Sequence, residues 1–94
     1  MAEKLLLEDV LGARNKIKLL RLLINNDLIS FSEIRKKLGL NHVTLKEYLN
    51  MLIEAGIVKE YEISRFRIYS IRKEDPRVKS IIMLFKTWEE SYEQ

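Results

Sequence analysis

The apolar positions change period along the chain, and each change marks an element. In residues 3–11 they fall at Leu6, Val10 and their neighbours, predicting a short helix or ordered arm that Gly12 ends. Over 13–25, Ile17, Leu20, Leu23 and Ile24 recur at helical spacing, and Leu19 and Leu22 carry apolar surface beyond that stripe. Asn25-Asn26-Asp27 signals a turn, and Leu28-Ile29-Ser30 predicts a very short strand. Ser30 followed by Glu33 forms a capping box, starting a helix at Phe31 that runs through Ile34 and Leu38 and stops at Gly39. Asn41 then caps a helix over 42–55 whose buried stripe is Leu45, Leu49 and Leu52, with Gly56 beyond its end.

After Gly56 the period becomes two. Residues 57–63 and 66–71 are rich in Ile, Val, Tyr and Phe with charges interleaved, and Ser64-Arg65 between them suits a hairpin turn. Asp75 as N-cap and Pro76 at the first helical position open a last helix. Val78, Ile81, Phe85, Trp88 and Tyr92 alternate at spacings of three and four, an a/d seam that Ile82 widens. The fold class is α+β, mostly α. Two helices joined by the step Leu38-Gly39-Leu40-Asn41 give a helix-turn-helix, the hairpin gives a two-stranded wing, and one helix is added at the C-terminus. Residues 1–73 form the predicted DNA-binding domain and 74–94 a dimerisation helix packed on it.

Composition narrows the chemistry. A chain of 94 residues has room for one core, and its 47% apolar content belongs to a folded domain. Without cysteine, disulfides and thiolate metal sites are excluded, which fits a cytoplasmic protein. The apolar runs are too short to span a membrane, and no secretory signal opens the sequence. Residues 1–73 hold fourteen Lys/Arg against nine Asp/Glu, whereas 74–94 hold three against five. The first part suits phosphates and the tail does not. One histidine, no Gly-rich phosphate loop and no nucleophile elbow argue against an enzyme, a cofactor or a metal site. Glu60 and Glu62 alternate along a strand with no base or metal partner nearby in sequence.

Certain motifs carry a family resemblance. Leu11-Gly12, Ile17, Leu19-Leu20, Phe31-Ser32-Glu33-Ile34, Leu38-Gly39-Leu40-Asn41 and Thr44-Leu45 match, as do Tyr48-Leu49, Leu52, Glu54-Ala55-Gly56-Ile57-Val58, Arg65 and Tyr69. Over about two-thirds of its length the chain resembles winged-helix regulators of the ArsR-like type, especially small members from archaea or their viruses. The resemblance implies double-stranded DNA as partner. Related wings commonly carry glycine where Ser64 stands, so the turn type is open, because a primed turn needs positive φ that serine supports poorly. Metal sensors of this type use cysteine pairs or Asp/His clusters, which the equivalent segments lack.

The predicted reading helix can be oriented from its own period. With Leu45 buried, a 100° step turns Val43, Lys46, Glu47 and Asn50 outward, and His42 and Thr44 lie at the helix start, where backbone N–H groups favour phosphate. Asn50 suits adenine, Lys46 guanine or phosphate, Glu47 a cytosine amino group and Val43 a thymine methyl. That helix is nearly neutral, so affinity must come from elsewhere. The candidate backbone or minor-groove contacts are Arg35, Lys36, Lys37, Asn41, Arg65 and Arg67. Arg14, Lys16, Lys18 and Arg21 are expected on a solvated face.

Leu6, Leu19, Leu22, Val78, Ile81, Ile82, Phe85, Trp88 and Tyr92 are the expected homodimer interface. The last helix either folds onto its own domain or pairs with its twin, and pairing is the favoured reading. The leading function is sequence-specific binding of duplex DNA to regulate transcription. A winged-helix protein adaptor and a non-specific DNA-coating role are the alternatives.

Overall fold

The computed structural model describes residues 6–92. Helix α1 (Leu7–Leu11) begins where the Asp9 carboxylate accepts the Leu6 N–H at 3.0 Å, and it buries Val10. The predicted start of this arm, residues 3–5, lies outside the described residues. A Cβ at Gly12 would overlap the Glu8 carbonyl oxygen, so glycine is what lets α2 (Arg14–Asn25) follow so closely.

Strand β1 (Ile29–Ser30) leads directly into α3 (Phe31–Leu38), where Ser30 Oγ accepts the Glu33 N–H at 3.2 Å. Helix α4 (His42–Glu54), the hairpin β2 (Val58–Ile63) and β3 (Phe66–Ile71), and α5 (Pro76–Tyr92) complete the order. The sheet runs β1-β3-β2, both pairs antiparallel, with Ile29 opposite Tyr69 and Ile63 opposite Phe66. The short strand is thus a third member that anchors the root of the wing to the helical body.

One core unites the elements. Leu20, Leu23, Ile34, Leu45, Leu49 and Leu52 from the helices pack with Ile57, Val58, Tyr69 and Ile71 from the base of the hairpin. Burying such aliphatic side chains contributes about 1.5–3 kcal/mol each before entropy is subtracted. Among the described residues, no buried side-chain polar atom lacks a hydrogen-bond partner, and no helix is long and apolar enough to cross a membrane.

The expected seam between copies requires correction. Leu19, Val78 and Ile81 are 1%, 0% and 6% exposed and belong to the chain's own core. Leu22, Ile82 and Phe85 are half-buried against the same core. The reason is that α5 folds back beside α2: Arg21 Nη1 meets Glu89 Oε1 at 2.8 Å, and its guanidinium lies 5.1 Å from the Phe85 ring centre. Only part of the apolar seam is left bare. Of the expected residues, Trp88 and Tyr92 are 61% and 77% exposed and Leu6 is exposed on α1's side; Leu84, one turn before Trp88 and not among those expected, is 46% exposed.

Candidate nucleic-acid interface

Helix α4 is held at both ends by its own sequence. At its start Asn41 Oδ1 accepts the Thr44 N–H at 2.8 Å. The turn before it depends on Gly39, whose φ of 67° is left-handed and whose N–H donates to the Arg35 carbonyl at 2.9 Å. Arg35 Nε reaches across that turn to the Leu40 carbonyl at 3.3 Å. At the far end Gly56 N–H donates to Ile53 O and Ile57 N–H to Leu52 O, the paired bonds of a Schellman stop. Ile57, expected in the strand, is therefore taken by the helix end, and β2 starts one residue later. So fixed, α4 buries Leu45, Leu49 and Leu52 and turns His42, Val43, Lys46, Glu47 and Asn50 to solvent. Thr44 is half-buried at the cap.

The wing turn is resolved by its torsions. Ser64 and Arg65 have φ of 48° and 74°, the positive pair of a type I′ turn, although neither is glycine. The backbone twist required by the hairpin overrides the local preference of both residues, at a cost of about 1–2 kcal/mol each. Arg65 consequently stands at the tip of the wing, exposed.

Behind the tip, side chains on the inner face of the hairpin are linked. The Tyr69 hydroxyl, on a residue only 2% exposed, donates to Glu60 Oε2 at 2.7 Å. Burial and the facing Glu60 carboxylate hold the Tyr69 proton above the ordinary phenol range, so the hydroxyl remains a donor. Arg67 Nη1 lies 3.5 Å from the other oxygen of Glu60. Neither Glu60 nor Tyr69 is among the site residues expected from sequence. The signal that finds them is register: a two-residue turn at Ser64-Arg65 puts Glu60 opposite Tyr69 by counting.

Helix and wing enclose a cleft of about 250 Å³. His42 and Lys46 line it from α4, Phe31 and Ser32 from the start of α3, and Arg65, Phe66, Arg67 and Tyr69 from the wing. The Phe31 and His42 rings stand 4.9 Å apart. On their other side a second, more open groove of about 620 Å³ is lined by Arg35, Lys36 and Gly39. The predicted cations Arg35, Lys36, Arg65 and Arg67, with Lys46, are thus brought to one surface. Lys37 lines neither groove; its ammonium lies 3.8 Å from Glu33 on its own helix. Asn41 serves chiefly as the cap. On α2, Lys16 donates to the Asp9 carbonyl at 2.9 Å and lies 5.3 Å from the Tyr48 ring centre, so this part of the expected solvated face ties α1 and α4 to α2.

Residues 13–59 match the winged helix-turn-helix DNA-binding family. The chain belongs to that family. Its family is one of DNA binders, not of enzymes. No curated protein matches the sequence. Among solved structures, this winged-helix protein is similar to HlyU from Vibrio cholerae at 23% identity, over 94% of this chain and 89% of that one, with a TM-score of 0.74. It is similar to the antimony-specific transcriptional repressor AntR at 20% identity, over 90% and 76% of the two chains, again with a TM-score of 0.74. NolR from Sinorhizobium fredii shares 16% identity over 97% of each chain, with a TM-score of 0.70. At these identities the likeness is one of fold. It extends past the family match and takes in the terminal helix.

Proposed function

We propose that this winged-helix protein is a homodimeric, sequence-specific regulator of transcription that places α4 in the major groove of duplex DNA. The observation carrying this reading is the outward row His42, Val43, Lys46, Glu47 and Asn50, set beside a cleft whose other wall ends in Arg65. A helix of that width fits the major groove, and this row offers hydrogen-bonding and apolar groups of the kinds that discriminate bases. Phosphate attraction is assigned to Arg35, Lys36, Arg65 and Arg67, because α4 itself carries one lysine against two glutamates. The wing tip reaches the flanking backbone or minor groove. That AntR, alike in fold, is a transcriptional repressor supports the regulatory reading.

The C-terminal segment 74–94, through its helix α5, joins two copies in this proposal. Leu84, Trp88 and Tyr92 continue, uncovered, the apolar surface whose earlier part is core, and a second copy of the same ridge would cover them. Two reading helices then meet successive major grooves, giving a roughly palindromic site. The test is selection from random duplex followed by binding at several salt concentrations. An enriched palindrome with a steep salt dependence supports the proposal. Salt dependence without a motif assigns a DNA-coating role, and neither one assigns the surface to a protein partner.

A further inference from the structure

We infer that the cleft between α4 and the wing is the seat of one phosphodiester group, and that Glu60 is the counter-ion this phosphate displaces from Arg67. The inference rests on the DNA-binding reading above and adds to it where one phosphate sits and a residue that regulates affinity.

The charges in the cleft call for an anion. Lys46, Arg65 and Arg67 converge on it, and among the described residues neither Lys46 nor Arg65 makes an ion pair. Arg67 alone is countered, and its partner is poorly placed to keep it. Glu60 spends one oxygen on the Tyr69 hydroxyl, which fixes the carboxylate to the buried base of the wing. The remaining oxygen stands 3.5 Å from Arg67 Nη1, beyond the roughly 2.7–2.9 Å of a tight charge-assisted bond. Both partners are partly open to water, at 53% and 30% exposure, where such pairs contribute little. A phosphate offers Arg67 two oxygens in one plane, the geometry that its guanidinium fork matches best. The exchange is therefore favourable. Glu60 remains bonded to Tyr69 and opposes the incoming charge, so it lowers affinity for any backbone that Arg67 must hold.

The sugar beside that phosphate has apolar surface to rest on. Phe31 and His42 form one wall of the cleft and Phe66 stands at the other, so the site suits a polymer backbone better than a bare ion.

The test is a double-mutant cycle between Glu60→Gln and Arg67→Ala in the full chain, read by binding to random-sequence duplex and, separately, to inorganic tripolyphosphate. Glutamine keeps an acceptor for Tyr69 while removing the charge. Glu60→Gln should tighten duplex binding about three- to fivefold at low salt and steepen the salt slope by about one. With Arg67→Ala already present the same change should do almost nothing. Glu90→Gln, on α5 outside the wing, controls for simple loss of negative charge, and its effect should not depend on Arg67. Thermal melts confirm that each variant is folded. Coupling on duplex with weaker, similarly coupled tripolyphosphate binding supports a backbone phosphate. Coupling on tripolyphosphate alone keeps the phosphate seat but removes the DNA reading beneath it. An equal Glu60→Gln effect with and without Arg67, or no binding of either probe, overturns the inference.

Discussion

Arg77, on the first turn of α5, donates from Nη2 to the carbonyl of Ala55 at 2.8 Å, so the last helix is tied to the end of the reading helix. The same guanidinium holds Asp75 through Nε and Nη2 at 3.0 and 2.8 Å. One side chain thus satisfies a carbonyl at a helix C-terminus and orders the cap of the next helix. Arg77→Ala should cost about 1 kcal/mol in chemical denaturation. Arg77→Lys should recover only part of that, because a point charge does not reproduce the fork.

Asp75 gives a pH signature. Its hydrogen bonds with the Arg77 side chain hold it down from the ordinary 3.8 to about 2. A folded-state value below the unfolded one means the contribution is complete above about pH 4 and is lost as pH falls towards 2. Carboxylate titration followed by NMR should place Asp75 near 2, and Asp75→Asn should flatten the acid limb of the stability curve across that window.

At the wing tip stability and binding should move in opposite directions. Arg65→Gly relieves a left-handed non-glycine residue and should stabilise the protein by about 1 kcal/mol, raising the melting temperature by roughly 4–8 °C. It should also weaken binding to all duplexes by removing a phosphate or minor-groove contact. A gel shift and a melt on the same sample check both, and unchanged affinity would place the tip away from DNA.

Asn50 and Arg65 differ in what they should do to preference. Asn50→Ala should relax selection at one base pair, at about 1–3 kcal/mol of discrimination, while sparing affinity for random duplex. Arg65→Ala should weaken every sequence alike and reduce the salt slope by about one. Selected motifs from the two variants separate the roles.

The division of the C-terminal seam predicts two unlike variants. Leu19→Ala opens a cavity in the chain's own core and should cost about 2–5 kcal/mol of stability. Trp88→Ala should leave the fold nearly unchanged while sedimentation shifts towards monomer. A monomeric wild type at micromolar concentration would remove the dimer from the proposal.

Local signals in the sequence were strong where one residue type has one use. Ser30, Gly39, Asn41 and Asp75 each mark a helix end found in the structure, and Leu45 set the outward row on α4 correctly. The seam on α5 misled because spacing identifies which side chains share a face, not which edge of that face the neighbouring helix covers. Val78 and Ile81 are buried, but further along it is Phe85 and Glu89 that meet Arg21 on α2 while Trp88 stays exposed, with nothing in the period to separate them. Glu60 is visible in the sequence but without its partners, because Tyr69 and Arg67 lie across the hairpin and the strand pairing that joins them depends on a turn whose residues disfavour it.

Only residues 72–75 separate β3 from α5, and the bond from Arg77 to Ala55 bridges even that short link. In a dimer joined through α5 the two reading heads would have almost no slack. The protein would then act as a ruler, measuring the phase between half-sites as well as their sequences. Inserting one base pair at the centre of the operator turns one half by about 35° relative to the other. A tethered pair of heads would tolerate that insertion; heads fixed in this way should lose cooperative binding at once.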